Sequence, residues 1–263
     1  MSDAVRLERD DGIARLILSR PDSRNALSSE VSGGIVEAVR ELEGSDSRVV
    51  VVEGEGKAFS AGGDISTMIE HSQGDESLDH LVRWIIQEAG RAVKAVSECE
   101  FPTVAKIDGP AFGAGGSLAL ACDIQLLSET AGIGFGFRQV GLAVDAGTSY
   151  LLPQYVGRNV ARELVYTGEI VSGDRAISLG LANHVFDAET FEQESEELIA
   201  RIAEGPTVGL RTSKRLLRHN ASATIDEAID HEAAAQAAVF DSADHHEGIT
   251  AFKQGRSPEF QGE

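Results

Sequence analysis

Residues 5–8 and 13–19 alternate apolar and polar positions on either side of Asp10-Asp11-Gly12. A two-residue period flanking a turn predicts a β-hairpin. The spacing then becomes helical, with Val31, Ile35, Ala38, Val39 and Leu42 on one face of a helix over residues 29–42. Val49-Val50-Val51-Val52 contains no polar position, which suits a strand covered on both faces. A glycine-rich loop is expected over residues 54–63, and a polar, mobile loop over about 70–79. Residues 81–96 read as one helix, and residues 103–107 as a strand behind Pro102. Residues 108–116 make a second glycine-rich turn that feeds a helix over 117–121, and residues 123–128 are again strand-like.

Past Tyr150 the pattern is mostly helical: residues 161–167, 174–179, 189–203, 206–219 and 225–242, with a short strand over 182–186. Strands alternating with helices predict an α/β fold with a largely parallel sheet and right-handed crossovers. The helical last third brings no sheet of its own, so it must pack on the core or on another subunit.

Composition narrows the setting. The 263 residues hold 42% hydrophobic positions but no apolar run of bilayer-spanning length, and the start, Met1-Ser2-Asp3-Ala4, has no basic leader or apolar stretch. Cys99 and Cys122 sit apart in apolar contexts, which predicts buried free thiols in a reducing, cytoplasmic compartment. Asp and Glu number 43 against 23 Lys and Arg, a formal net charge of -20, spread along the chain. Self-repulsion of that size is eased by salt, so adaptation to a salty cytoplasm is expected, with an ordinary acidic soluble protein as the alternative. Without a basic stripe, nucleic acid is excluded as a partner, and no membrane partner is expected. His71, His80, His245 and His246 lie in polar, acidic surroundings and read as solvated; no His/Cys spacing suggests a metal.

Two turns carry candidate chemistry. Gly62-Gly63-Asp64 precedes a helix, and Gly113-Ala114-Gly115-Gly116 opens another. Glycines there let backbone approach a ligand and expose unpaired N–H groups at a helix N-terminus, a site for an anion or oxyanion. Spacing alone equally allows that they serve close helix–strand packing. Neither turn has the pattern of a nucleotide loop.

The run Lys57-Ala58-Phe59-Ser60-Ala61-Gly62-Gly63-Asp64-Ile65 resembles the first signature of the crotonase (enoyl-CoA hydratase/isomerase) superfamily. Pro102-Thr103-Val104-Ala105, Asp108 through Gly116, and Leu118-Ala119-Leu120-Ala121-Cys122-Asp123 resemble the second. Arg20-Pro21 with Asn25-Ala26-Leu27, and Thr167-Gly168 with Gly180-Leu181-Ala182, fit in the same order. The resemblance implies a spiral of ββα units over residues 1–200 carrying the coenzyme A site. It also implies a helical C-terminal region over 201–263 that builds trimers or hexamers. The substrate it implies is an acyl-CoA thioester, with coenzyme A part of the substrate and no separate cofactor. It assigns the oxyanion-binding amides to Gly63 and Ala114, the adenine and pantetheine path to Ala61, Asp64 and Ile65, and phosphate contacts to Lys253 and Arg256; for the last two a solvated helix end is the equal alternative.

Hydratases of this superfamily hold a water between two glutamates. Here those positions carry Ser117 and Phe137, so that pair is absent and both residues border the acyl group instead. The segment Gly141 through Pro153 resembles the one carrying the acid of enoyl-CoA isomerases, with closest likeness to epoxyphenylacetyl-CoA isomerase, and it points to Asp145. Without the resemblance, Asp145 reads as a helix N-cap. Phe135, Phe137, Val140, Leu142 and Val144 are expected to keep the pocket apolar, which raises a carboxylate's basicity. Gln139 and Tyr150 are expected to shape it, and Trp84 to be core or wall. The expected activity is enoyl-CoA isomerisation with Asp145 shuttling a proton. The alternatives are hydration with Asp145 alone, attack by Asp145 on an aryl ring as in 4-chlorobenzoyl-CoA dehalogenase, and silent acyl-CoA binding.

Overall fold

Strands β1 (Val5–Asp10) and β2 (Ile13–Leu18) pair antiparallel. Asp11 and Gly12 both take positive φ, 46° and 75°, which gives the hairpin the twist its strands need. The computed structural model describes residues 3–74 and 77–263. Helix α1 (Ser29–Glu41) starts at Ser28, whose hydroxyl accepts the Val31 N–H, and buries Val31, Ile35 and Ala38. All four valines of β3 (Val49–Gly54) are at most 1% exposed. Val50 and Val52 join the main core with α1, while Val49 and Val51 join a second core on the opposite face, as the strand alternation requires.

Next come α2 (Ile65–Gln73), α3 (Leu78–Ile85), a five-residue π-turn over Ile86–Gly90, and α4 (Arg91–Glu98). This corrects two expectations. The polar stretch around residues 70–79 is mostly helix, because Asp64 and Ser77 cap α2 and α3 at their N-termini; Asp75 and Glu76 lie outside the described residues. The helix expected over 81–96 is broken at Glu88, whose ψ of -119° is not helical.

The chain continues through β4 (Thr103–Ile107), β5 (Pro110–Phe112), α5 (Ala114–Ala121), β6 (Ile124–Ser128) and β7 (Gly132–Gly134). A 3-10 turn over Gly136–Val140 leads to α6 (Thr148–Thr167), β8 (Ile170–Val171), α7 (Gly173–Leu179) and β9 (His184–Phe186). The main sheet runs β1-β2-β3-β4-β6-β9 and is parallel from β2 onward, as the alternation of elements predicts. A second sheet, β5-β7-β8, has strands of two or three residues, too short and too glycine-rich to register as a period-two pattern. Every residue of α5 is buried, so this helix runs through the core and holds its first turn fixed.

Helix α8 (Phe191–Ala203) covers the second face of the main sheet through Phe191, Ile199 and Ala203. Helices α9 (Thr207–His219), α10 (Ile225–Val239) and α11 (Ala243–Gln254) follow. The helix expected over 225–242 ends at Val239, and Ser242 caps α11. In the single chain α9, α10 and α11 leave Leu217, Ile225, Ile229 and Phe252 exposed. Cys99 and Cys122 are buried free thiols. No described helix is long and apolar enough to cross a membrane.

Candidate active site

The two glycine-rich turns pack directly on each other. Ser60 N–H donates to Pro110 O at 3.2 Å, and Phe112 N–H donates to Ser60 O at 2.8 Å. A Cβ on Gly62 (φ 86°) would lie 2.4 Å from Phe112 O and 3.1 Å from Ala114 N, and one on Gly115 would lie 2.5 Å from Ser60 O. The first turn is held from below by Asn25, a fully buried side chain that accepts Arg20 N–H at 2.9 Å and donates to Glu55 O and Ala58 O. Packing and ligand binding are therefore compatible in these turns: the glycines let the turns meet, and the meeting leaves amides over. Gly113 (φ 55°, ψ -122°) reverses the chain into α5, so Ala114 N–H is the first amide of that helix and has no intrahelical acceptor. Neither the Gly63 nor the Ala114 N–H donates to a protein acceptor among the described residues. Both residues line one cavity of about 590 Å³.

Asp145 lines the same cavity. Its Oδ1 is buried with no hydrogen-bond partner, and burial pushes its carboxyl above the usual range. It is not a helix cap. Ala146 (φ 47°) and Gly147 (φ 76°) form a left-handed step between Asp145 and α6, Gly147 holds the cap position, and Thr148 N–H takes the Asp145 main-chain oxygen at 2.9 Å. Phe137, Val140, Leu142 and Val144 make the neighbouring wall apolar, with Gln139 among them. Phe135, expected there, is instead fully buried in the core behind Gly116, whose added Cβ would sit 3.2 Å from its ring. Tyr150 is 70% exposed and outside the lining.

Residues 8–263 match the family model described as enoyl-CoA hydratase/isomerase. The chain belongs to the enoyl-CoA hydratase/isomerase family. An enoyl-CoA isomerase/hydratase of Mycosarcoma maydis is 31% identical over 95% of this chain and 93% of its own length. The 1,2-epoxyphenylacetyl-CoA isomerase of Escherichia coli is 30% identical over 96% of each chain. Among solved structures, a putative enoyl-CoA hydratase from Streptomyces coelicolor superposes with a TM-score of 0.92 at 32% identity, covering 99% of this chain and 94% of that one.

For this member of the enoyl-CoA hydratase/isomerase family, the structure gathers Ala61, Gly63, Asp64, Ile65, Ala114, Phe137 and Asp145 around one cavity. Asp64 reaches it while capping α2, accepting Ser66 N–H at 2.9 Å. Ser117 is fully buried outside the lining, bonded to the Thr148 hydroxyl. Lys253 and Arg256 are exposed and outside the lining, and the Arg256 fork is taken by Glu247. Two ionisable lining residues, His71 and Glu88, lie outside what the sequence motifs point to. His71, expected in solvent, packs against Trp84 with ring centroids 4.3 Å apart and planes tilted by 45°. Glu88 turns inward from the π-turn and is 7% exposed. An acid at helical spacing with Leu81, Trp84, Ile85 and Ala92 is the signal the sequence offers for it.

Proposed function

We propose that this enzyme of the enoyl-CoA hydratase/isomerase family is an enoyl-CoA isomerase that moves a double bond along the acyl chain. Asp145 takes a proton from the carbon next to the thioester. The negative charge spreads onto the thioester oxygen, where the Gly63 and Ala114 amides receive it. Donors of this kind, held before the charge appears, are each worth a factor of ~100–1000 in rate. Reprotonation two carbons further along the dienolate completes the shift. Coenzyme A arrives as part of the substrate, and Ala61, Asp64 and Ile65 flank its path.

The observation that carries this reading is a carboxyl with a buried, unpartnered oxygen sharing an apolar cavity with two unpaired amides. Desolvation strengthens such a carboxylate as a base toward a carbon acid. Ser117 and Phe137 leave the hydratase positions without carboxylates, which favours moving a double bond over adding water. The exposed apolar positions of α9, α10 and α11 support assembly as a trimer or hexamer in a cytoplasmic enzyme, testable by light scattering.

Absorbance of the conjugated enoyl thioester separates the chemistries. A 3-enoyl-CoA should gain that absorbance on isomerisation. A 2-enoyl-CoA should keep it, and rapid loss from the 2-enoyl substrate with no gain from the 3-enoyl one would overturn the isomerase in favour of a hydratase.

A further inference from the structure

Glu88 occupies the cavity wall by a local distortion of the backbone. A regular helix through residues 78–98 would keep ψ near the usual helical value, yet Glu88 takes -119° inside a π-turn, a device that re-aims a side chain. The carboxyl that results is 7% exposed, faces the same cavity as Asp145, and accepts a hydrogen bond from the Ser29 hydroxyl. Ser29 is the first residue of α1, so the carboxyl it meets lies near the N-terminal end of that helix. Gly147, two residues after Asp145, approaches Val93 of α4, so the segments that follow the two acids pack together.

We infer that Glu88 is a second proton-transfer group of this pocket, giving its proton to the far carbon of the dienolate while Asp145 removes one beside the thioester. The inference rests on the isomerase reading above. In the first step the Asp145 carboxylate takes the proton and the C–H electron pair enters the dienolate. In the second, the dienolate forms a C–H bond with the Glu88 proton, leaving a Glu88 carboxylate. The acids have then exchanged protonation states, and solvent at the cavity mouth resets both.

The surroundings differ in the way this division needs. Burial raises the Glu88 carboxyl above its usual range, which favours its protonated form. Ser29, the neighbouring Trp84 indole (close, though short of hydrogen-bond geometry) and the charge of His71 offset part of that shift, and Asp64 adds to it. The Ser29 hydroxyl steadies the anion left after the proton is given. Asp145 has no such donor.

The test is a 3-enoyl-CoA deuterated at the carbon beside the thioester, turned over in ordinary water. With two acids the label is lost to solvent and the far carbon receives solvent hydrogen. Glu88→Gln, which keeps an acceptor for Ser29, should lower kcat by tenfold or more with KM little changed. Its residual turnover should carry the label from one carbon to the other by way of Asp145. Ser29→Ala, outside the cavity lining, should also lower kcat and leave KM unchanged. A Glu88→Gln enzyme with wild-type rate, or a slower one with unchanged label distribution, would overturn the inference. Failure of the isomerase reading itself shows separately, as a wild-type enzyme that shifts no double bond or an Asp145→Asn enzyme that is fully active.

Discussion

The Ser117 and Thr148 hydroxyls share a fully buried hydrogen bond of 2.5 Å between the second turn of α5 and the first residue of α6. Ala114 lies three residues before one partner and Asp145 three residues before the other. One contact thus ties the segment that carries the unpaired Ala114 amide to the segment that carries Asp145. The position where the sequence comparison expects a hydratase glutamate has become a brace.

Ser117→Ala should therefore affect both stability and rate. Thr148 would keep a buried hydroxyl with no partner, at a cost of about 1–3 kcal/mol. Denaturant unfolding should register that loss, and kcat should fall several-fold as Asp145 loses its register. The double variant Ser117→Ala/Thr148→Val, with both polar groups gone, should recover much of the stability and less of the rate.

Ala114→Pro isolates the amide. The first position of a helix tolerates proline, since its N–H has no acceptor within the helix. The fold should survive by circular dichroism, while kcat/KM for a 3-enoyl-CoA falls by ~100–1000-fold, the usual worth of one oxyanion donor. Unchanged turnover in a folded variant would remove Ala114 from the oxyanion site.

Asp145→Asn should abolish double-bond migration and raise stability at neutral pH. Burial raises the folded-state pKa of Asp145 above its unfolded value. Between those two values the unfolded chain has released a proton that the folded chain still holds, so stability falls as pH rises through that window. Above it the cost of the buried charge is present in full. The Asn variant should melt higher than wild type at pH 8, and the gap should close as pH drops below the ordinary Asp range. In the wild type, kcat/KM should fall as pH drops through the raised pKa, because only the carboxylate accepts a proton.

Asn25→Ala removes three hydrogen bonds, to Arg20 N–H, Glu55 O and Ala58 O, at a fully buried site beneath the first glycine-rich turn. Main-chain groups left unpaired there should destabilise the protein by about 2–4 kcal/mol. Thermal melting measures that loss, and substrate binding should weaken because Gly62 and Gly63 lose the support under Ala58.

Elements with a strong local signal were legible in the sequence. The Asp11-Gly12 hairpin, the all-valine strand at residues 49–52 and the amphipathic helix α1 each depend on spacing within one segment, and the glycine signatures identified the family and the turns that bear the two amides. Where those signatures brought residues from distant segments to one cavity, Asp145 and Phe137 included, the chain order of motifs was enough. Capping overrode the polar reading around residues 70–79, since a single Asp or Ser before each helix outweighs composition inside it.

What tertiary structure alone decided is the use of side chains whose partners lie far away in sequence. Ser117 became a brace because Thr148 faces it across 31 residues. Phe135 went to the core because α5 lies behind it, and Glu88 entered the cavity because Ser29, 59 residues earlier, offers its hydroxyl where the helix would otherwise continue. Periodicity reports which face of an element is buried, whereas the partner a polar group meets on that face depends on how separate elements pack, and that is a property of the assembled chain.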